Sequence, residues 1–168
     1  MKIQYSELKT RLGSVIVFAH QGAVCALGFA GQRRFLLRSL RRRFGTFQLE
    51  PVRDAGEAAR ALRAYFAGKL DAIANVPLDL AGTEFQRRVW QALRRIPAGE
   101  TVTYAALARG VGRPRAVRAV ASANANNPAC LLVPCHRVIG TDGALRGYAG
   151  GLYRKRQLLE HEGALTPA

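Results

Sequence analysis

The sequence predicts an α/β segment followed by a mostly helical segment organised around a helix-turn-helix. Two β-rich runs, Ser14 to His20 and Ala23 to Phe29, flank Gln21-Gly22 and read as a hairpin. From Thr83 onward, apolar residues recur at helical spacing. Between Thr103 and Asn124 a short helix, a glycine-containing turn and a second helix follow one another. The length, 168 residues, suits one full-sized domain or two small ones sharing a core.

After the hairpin, Gln32 to Phe44 is a basic helix candidate containing Arg41-Arg42-Arg43. Ala55 to Gly68 follows as another helix, with Ala58, Leu62, Tyr65 and Phe66 on one face. Asn75 to Gly82, with Pro77, reads as an extended connection. The expected organisation is a domain over 1–76, a linker over 77–82 and a second domain over 83–168. Thr83-Glu84-Phe85-Gln86 fits a capping box, in which threonine and glutamine satisfy each other's backbone donors. Phe85, Val89, Trp90, Leu93 and Ile96 form the apolar face of that helix, and Ile96-Pro97-Ala98-Gly99-Glu100 ends it.

Thr103 to Arg109 is the short helix of the helix-turn-helix. Pro114 to Asn124 is the second, opened by proline at its first position. It carries Arg115 and Arg118, preceded by Arg113, among alanines that let its backbone approach a partner closely. Leu131-Leu132-Val133 reads as a buried strand, and Tyr153 to Glu162 as the last helix.

Hydrophobic residues make up 49% and charged residues 22%, an ordinary globular composition. No apolar stretch reaches the roughly 18 residues that span a bilayer. The N-terminus has no signal-peptide core, so a soluble, non-exported, cytoplasmic protein is expected. Cys25, Cys130 and Cys135 are too few for a disulfide framework, which agrees with a reducing compartment. Lys+Arg number 26 against 11 Asp+Glu, a formal charge of +15, and only four of the 26 are lysines. That excess points to a polyanion, most simply nucleic acid; the bland alternative is arginine-rich usage on a solvated surface.

Chemistry concentrates in Pro134-Cys135-His136-Arg137-Val138. The thiolate is the nucleophilic form of cysteine, and positive charge or an imidazole nearby favours it. Adjacent strand side chains point to opposite faces, so contact between Cys135 and His136 requires a turn or a bridging water. An orienting group for the imidazole is also needed, and Glu160 and Glu162 both qualify. A phosphatase loop is excluded, because the arginine it needs six residues beyond the cysteine is Thr141 here. Zinc is disfavoured: Cys130, Cys135 and His136 have an unusual spacing and no evident fourth ligand beyond His20, His161 or Cys25. Gly147-Tyr148-Ala149-Gly150-Gly151 can wrap a planar ligand or simply connect tightly.

These residues, in order, make the chain resemble the O6-alkylguanine-DNA alkyltransferases, also called methylated-DNA–protein-cysteine methyltransferases. The matching positions run from Gly82 to Gln86 with Val89-Trp90, through Ile96 to Thr101, Tyr104, Arg118 to Val120 and Asn127-Pro128. They continue through Pro134 to Val138, Gly147 to Gly151, Lys155 and Leu158-Leu159. About half the chain is covered, and the first half matches in outline.

The resemblance implies a ribonuclease H-like α/β N-terminal domain and a C-terminal winged-helix domain. It implies single-turnover repair of double-stranded DNA containing O6-alkylguanine, with base flipping and no cofactor; the histidines that complete an N-terminal zinc site in some members are not seen, so no metal is expected. It implies a monomer in solution and leaves cooperative assembly on DNA open. Cys135 would be the nucleophile, His136 the base acting through a water, and Glu162 its orienter. Asn127 would order the active-site turn. Tyr104 would protonate the departing guanine and crowd a phosphate. Arg118 would be the finger entering the vacated stack. Arg113, Arg115, Ala116, Ala119 and Thr141 would join Tyr104 and Arg118 at the DNA surface, and Val138, Tyr148, Ala149 and Cys130 would line the nucleotide pocket. Ala149 departs from the serine of some members, and Cys130 stands where proline or an aliphatic residue is common.

Two other functions compete. A lesion sensor or regulator would use the helix-turn-helix without chemistry, but non-transferring relatives replace the cysteine. Damage-responsive regulators usually carry an extra N-terminal metal-binding module, for which 168 residues leave no room. A cysteine hydrolase would turn over repeatedly on an ester or peptide.

Overall fold

The computed structural model describes residues 1–54 and 56–167. Backbone contacts divide the chain into two compact units, Met1–Ala81 and Gly82–Ala168.

In the first unit, β1 (Lys2–Thr10), β2 (Gly13–His20) and β3 (Ala23–Phe29) form an antiparallel meander. Gln21 and Gly22 both have positive φ, the geometry that lets a two-residue turn match the twist of its strands. The chain then enters α1 (Arg33–Phe44) and returns as β4 (Gln48–Pro51), parallel to β1. The resulting order is β3-β2-β1-β4. Leu36 and Leu40 of α1 pack on Ile3, Ile16, Phe18 and Cys25 of the sheet. The outward face of α1 carries Arg34, Arg38, Arg41 and Arg42, all exposed.

α2 (Glu57–Phe66) buries Ala58, Leu62 and Tyr65. The expected start of this helix at Ala55 lies outside the described residues. The segment beyond it runs beside β3: the Val24 amide donates to the Pro77 carbonyl, and the Asp79 amide donates to the Val24 carbonyl.

The second unit opens on Gly82. A Cβ there would lie 2.5 Å from two carbons of the Trp90 ring, so only glycine fits beneath that indole. α3 (Glu84–Arg94) starts with the expected capping box: the Gln86 amide donates to Thr83 Oγ1, and the Thr83 amide to Gln86 Oε1. Val89, Trp90 and Leu93 are buried, and Trp90 donates to the Ala123 carbonyl at 2.8 Å. β5 (Val102–Thr103), α4 (Tyr104–Gly110) and α5 (Val117–Ala125) follow, and β5 pairs in parallel with β6 (Val138–Ile139). Thr103 caps α4 by accepting from the Ala106 amide. α6 (Leu152–His161) closes the unit, with Glu162 at its C-cap rather than inside the helix.

Two expectations are corrected. α5 begins at Val117, not Pro114; Pro114 and Arg115 occupy a turn closed by the Ala116 amide on the Arg113 carbonyl. Pro114 supplies a fixed φ to that turn instead of opening the helix. Leu131-Leu132-Val133 is buried but is not a regular strand. It is a turn closed by the Val133 amide on the Ala129 carbonyl, with Leu131 at φ 74°. Continuous apolar character cannot separate a buried strand from a buried turn.

Candidate active site

The polypeptide around Cys135 is shaped by one side chain. Asn127 Oδ1 accepts from the Ala129 amide at 2.9 Å, and its Nδ2 donates to the Val133 carbonyl at 2.8 Å. The same carbonyl receives the Cys135 amide at 2.7 Å across Pro134, whose φ of −79° and ψ of 65° make an inverse γ-turn. Leu131 holds a left-handed conformation that costs a non-glycine residue about 1–3 kcal/mol. Complete burial of its side chain and the Asn127 bonds offset that strain.

Cys135–Arg137 then form one turn of 3₁₀ helix, which replaces the strand geometry that would splay Cys135 from His136. Cys135 is only 5% exposed, and burial pushes its thiol up. A hydrogen bond from Asn127 and the charge of Lys155 pull in the opposite direction.

His136 is fully buried, and its Nε2 lies 2.8 Å from Glu162 Oε1. Burial holds the imidazole below its ordinary value, against the pull of Glu162. A neutral imidazole facing a carboxylate carries its proton on Nε2. Nδ1 is then a lone pair, and it has no hydrogen-bond partner among the described residues.

Glu162 is also gripped by Arg137, Nε to Oε2 at 2.9 Å and Nη2 to Oε1 at 2.8 Å, while Arg137 Nη1 donates to the Ile96 carbonyl at 2.6 Å. Burial opposes the charge of Glu162, yet bonds and charges from His136 and Arg137 keep its carboxyl well below the usual carboxylate range. Of the two carboxylates considered from sequence, Glu162 reaches His136; Glu160 faces Arg156 at 3.9 Å.

Next to this array, Tyr104, Arg118, Thr141 and Gly147 line one groove of about 570 Å³. Arg118 and Thr141 are exposed, as are Arg113, Arg115 and Ala119; Ala116 is half-buried. Tyr104 donates to the Arg146 carbonyl at 3.2 Å, and burial followed by the neighbouring Cys135 pushes its phenol up. Of the expected pocket residues, Val138 and Cys130 are buried. Tyr148 stands edge-on to His136 with ring centroids 6.5 Å apart, and Ala149 is exposed. Among the described residues, no His, Cys, Asp or Glu cluster is arranged to hold a metal ion.

Residues 84–164 match the family model "6-O-methylguanine DNA methyltransferase, DNA binding domain". A methylated-DNA–protein-cysteine methyltransferase of Shigella flexneri is 52% identical over 112 residues, 67% of this chain and 66% of that protein. One from Mycolicibacterium paratuberculosis is 54% identical over 119 residues, 71% of this chain and 72% of that protein. The chain belongs to the 6-O-methylguanine DNA methyltransferase family. With the Shigella protein the match spans just under two thirds of the relative's length. A crystal structure of the Mycobacterium tuberculosis O6-methylguanine methyltransferase extends the family likeness over both units, with a TM-score of 0.77, 38% identity, and 99% of this chain and 96% of that one covered. The mycobacterial protein in complex with DNA superposes with a TM-score of 0.79 at 39% identity, covering 98% and 94%.

Within this family frame, sequence reasoning had given no part to two buried cations. Arg137 sat in the motif but had no role, and its burial follows only once Glu162 folds back onto it. Lys155 appeared only as a matching position. Its signal was composition: it is the one lysine after residue 69 in an arginine-rich chain.

Proposed function

We propose that this chain repairs double-stranded DNA by moving an alkyl group from O6 of guanine onto Cys135, irreversibly and once per molecule. The observation that carries the reading is the buried Cys135–His136–Glu162 array, in which the free Nδ1 of a neutral imidazole belongs to the same short turn as the thiol. His136 Nδ1 takes the thiol proton through a water. Sγ attacks the alkyl carbon, an S–C bond forms as the C–O6 bond breaks, and the electron pair stays on guanine. Overall the thiol proton ends on guanine, and the thioether has no route back. Glu162 holds the imidazole in its tautomer and steadies the imidazolium. Tyr104, whose raised phenol keeps its proton, supplies hydrogen to the departing base. A role limited to sensing lesions would leave this array without use.

A thiol this enclosed cannot reach a stacked base, so the nucleotide must be extruded, at roughly a few kcal/mol. Arg118 offsets part of that cost by entering the gap. The groove it shares with Tyr104 and Thr141 supports this role, and exposed Arg113, Arg115 and Ala119, with half-buried Ala116, extend the surface for DNA. Val138, Tyr148, Ala149 and Cys130 bound the pocket for the base.

In finer architecture, residues 1–76 form a ribonuclease H-like domain, supported by the β3-β2-β1-β4 order with β4 parallel to β1. Residues 77–82 connect it to a winged-helix domain over 83–168, supported by α4, α5 and the small β5-β6 sheet. The protein works as a monomer in the cytoplasm, where its three free cysteines stay reduced.

The test is the intact mass after incubation with duplex DNA bearing O6-methylguanine. One methyl group should appear on Cys135, and Cys135→Ala should gain none; an unmodified, folded wild type would sink the reading. For the finger, Arg118→Ala should slow repair of duplex on the order of tenfold or more, the cost of an unsupported flip. It should react almost normally with free O6-benzylguanine, and equal losses on both substrates contradict the role.

A further inference from the structure

Lys155 is flanked by Arg154 and Arg156 in a chain that otherwise favours arginine. Both neighbours keep some exposure, whereas Lys155 is completely buried. An ammonium is a compact point charge on a flexible stem, and its titration shifts readily on burial. Lys155 Nζ donates to the Arg146 carbonyl at 2.5 Å, and that carbonyl also receives the Tyr104 hydroxyl. One carbonyl thus ties α6 and α4 to the segment that leads into Gly147–Gly151.

Among the described residues no carboxylate pairs with Lys155; Glu160 faces Arg156, and Glu162 is taken by His136 and Arg137. Burying an unpaired charge is expensive, so its neighbours matter. Burial brings Lys155 down to about 8, and the opposing influence is Cys135. α6, which carries Lys155, packs against the Cys135–Arg137 turn, and the same coupling acts on the thiol. The other groups acting on Cys135 are Asn127 and Tyr104, both uncharged, with neutral His136 next to it in the turn. Arg137 is neutralised by Glu162.

We propose that Lys155 is a positioning residue for the transfer, its buried ammonium pinning the Arg146 carbonyl beside Tyr104 and stabilising the thiolate of Cys135. The inference rests on the reading of Cys135 as the nucleophile, and its test needs no DNA. Cys135 is alkylated with iodoacetamide across a pH series and quantified by peptide mass. Lys155→Met keeps the apolar stem and removes the charge. Its alkylation midpoint should move up, and its rate at neutral pH should fall about tenfold, as for a one-unit shift. Lys155→Arg returns the charge and should bring the midpoint back toward wild type, which a purely structural role would not do.

In the wild type, the Lys155 ¹³Cε resonance should titrate at lower pH once Cys135 is carboxamidomethylated, because coupling is reciprocal. An unchanged Cys135 midpoint in folded Lys155→Met overturns the proposal. Where that variant does not fold, an unchanged lysine titration in alkylated wild type does so. Loss of DNA repair with normal iodoacetamide reactivity in the wild type would instead count against the repair reading.

Discussion

Cys25 and Cys135 are 2% and 5% exposed, so access to solvent does not tell them apart. Cys25 sits in β3 among Ile3, Ile16, Phe18 and Leu36, and its Sγ–H donates to the Phe18 carbonyl at 3.3 Å. Burial drives that thiol up to about 12. Burial raises Cys135 as well, but around its turn stand Asn127, a buried ammonium and an imidazole with an open nitrogen. The lesson is that a buried thiol becomes chemical when its proton has somewhere to go and its charge has a partner. A regular strand spends its polar groups on the ladder and offers neither.

The sharpest way to break the contrast is Glu162→Gln. Without the carboxylate, His136 loses its orienter, and transfer should slow on the order of a hundredfold in single-turnover kinetics. Arg137 is left buried without its counter-charge, at ~3 kcal/mol by urea unfolding. The pH dependence of stability follows from the same groups. Glu162 and His136 are both held below their ordinary values, so each contributes stability that is full above its unfolded pKa and fades as pH falls toward its folded one. The wild type should lose stability below about pH 6.5 as His136 is called on to protonate, and further below about 4.3 as Glu162 is. Glu162→Gln should flatten the second decline, and a variant that keeps the wild-type acid profile would break the assignment.

A smaller effect is expected for Asn127→Ala. It strips two buried hydrogen bonds from the turn, costing ~2 kcal/mol by thermal or urea unfolding. Transfer should slow about tenfold as the thiol loses support. Cys25→Ala is the control on the other side. It should cost about 1 kcal/mol as a small core deletion and leave the rate of methyl uptake unchanged. A transfer defect in Cys25→Ala would erase the distinction between the two cysteines.

The sequence-level reading was most successful where local chemistry dictates structure. Gln21-Gly22, the Thr83–Gln86 capping box and the outline of α4 and α5 are short-range signals, and each is realised. β1 was not anticipated. Its exposed Lys2, Gln4, Glu7 and Lys9 mask a strand whose buried residues, Ile3 and Ser6, lie on opposite faces and matter only once β2 and β4 are in place. Pro114 misled because proline suits a turn as well as a first helical position. At the site, the Cys135–His136 neighbourhood was legible in order and type. The grip of Arg137 on Glu162 and the Arg146 carbonyl shared by Tyr104 and Lys155 were not, because they join residues far apart in the chain, and the turn at Leu131 was not, because a run of apolar residues carries no sign of its left-handed backbone.

The indole of Trp90 also dictates where this protein can be recombined with others. Because Gly82 lies under that ring, the residue opening the second unit answers to the packing of α3 and not to whatever precedes it. A hybrid that grafts a foreign first half onto this second half must carry a glycine across the seam. A junction written with any other residue would lever the indole off the Ala123 carbonyl and loosen the scaffold behind α5.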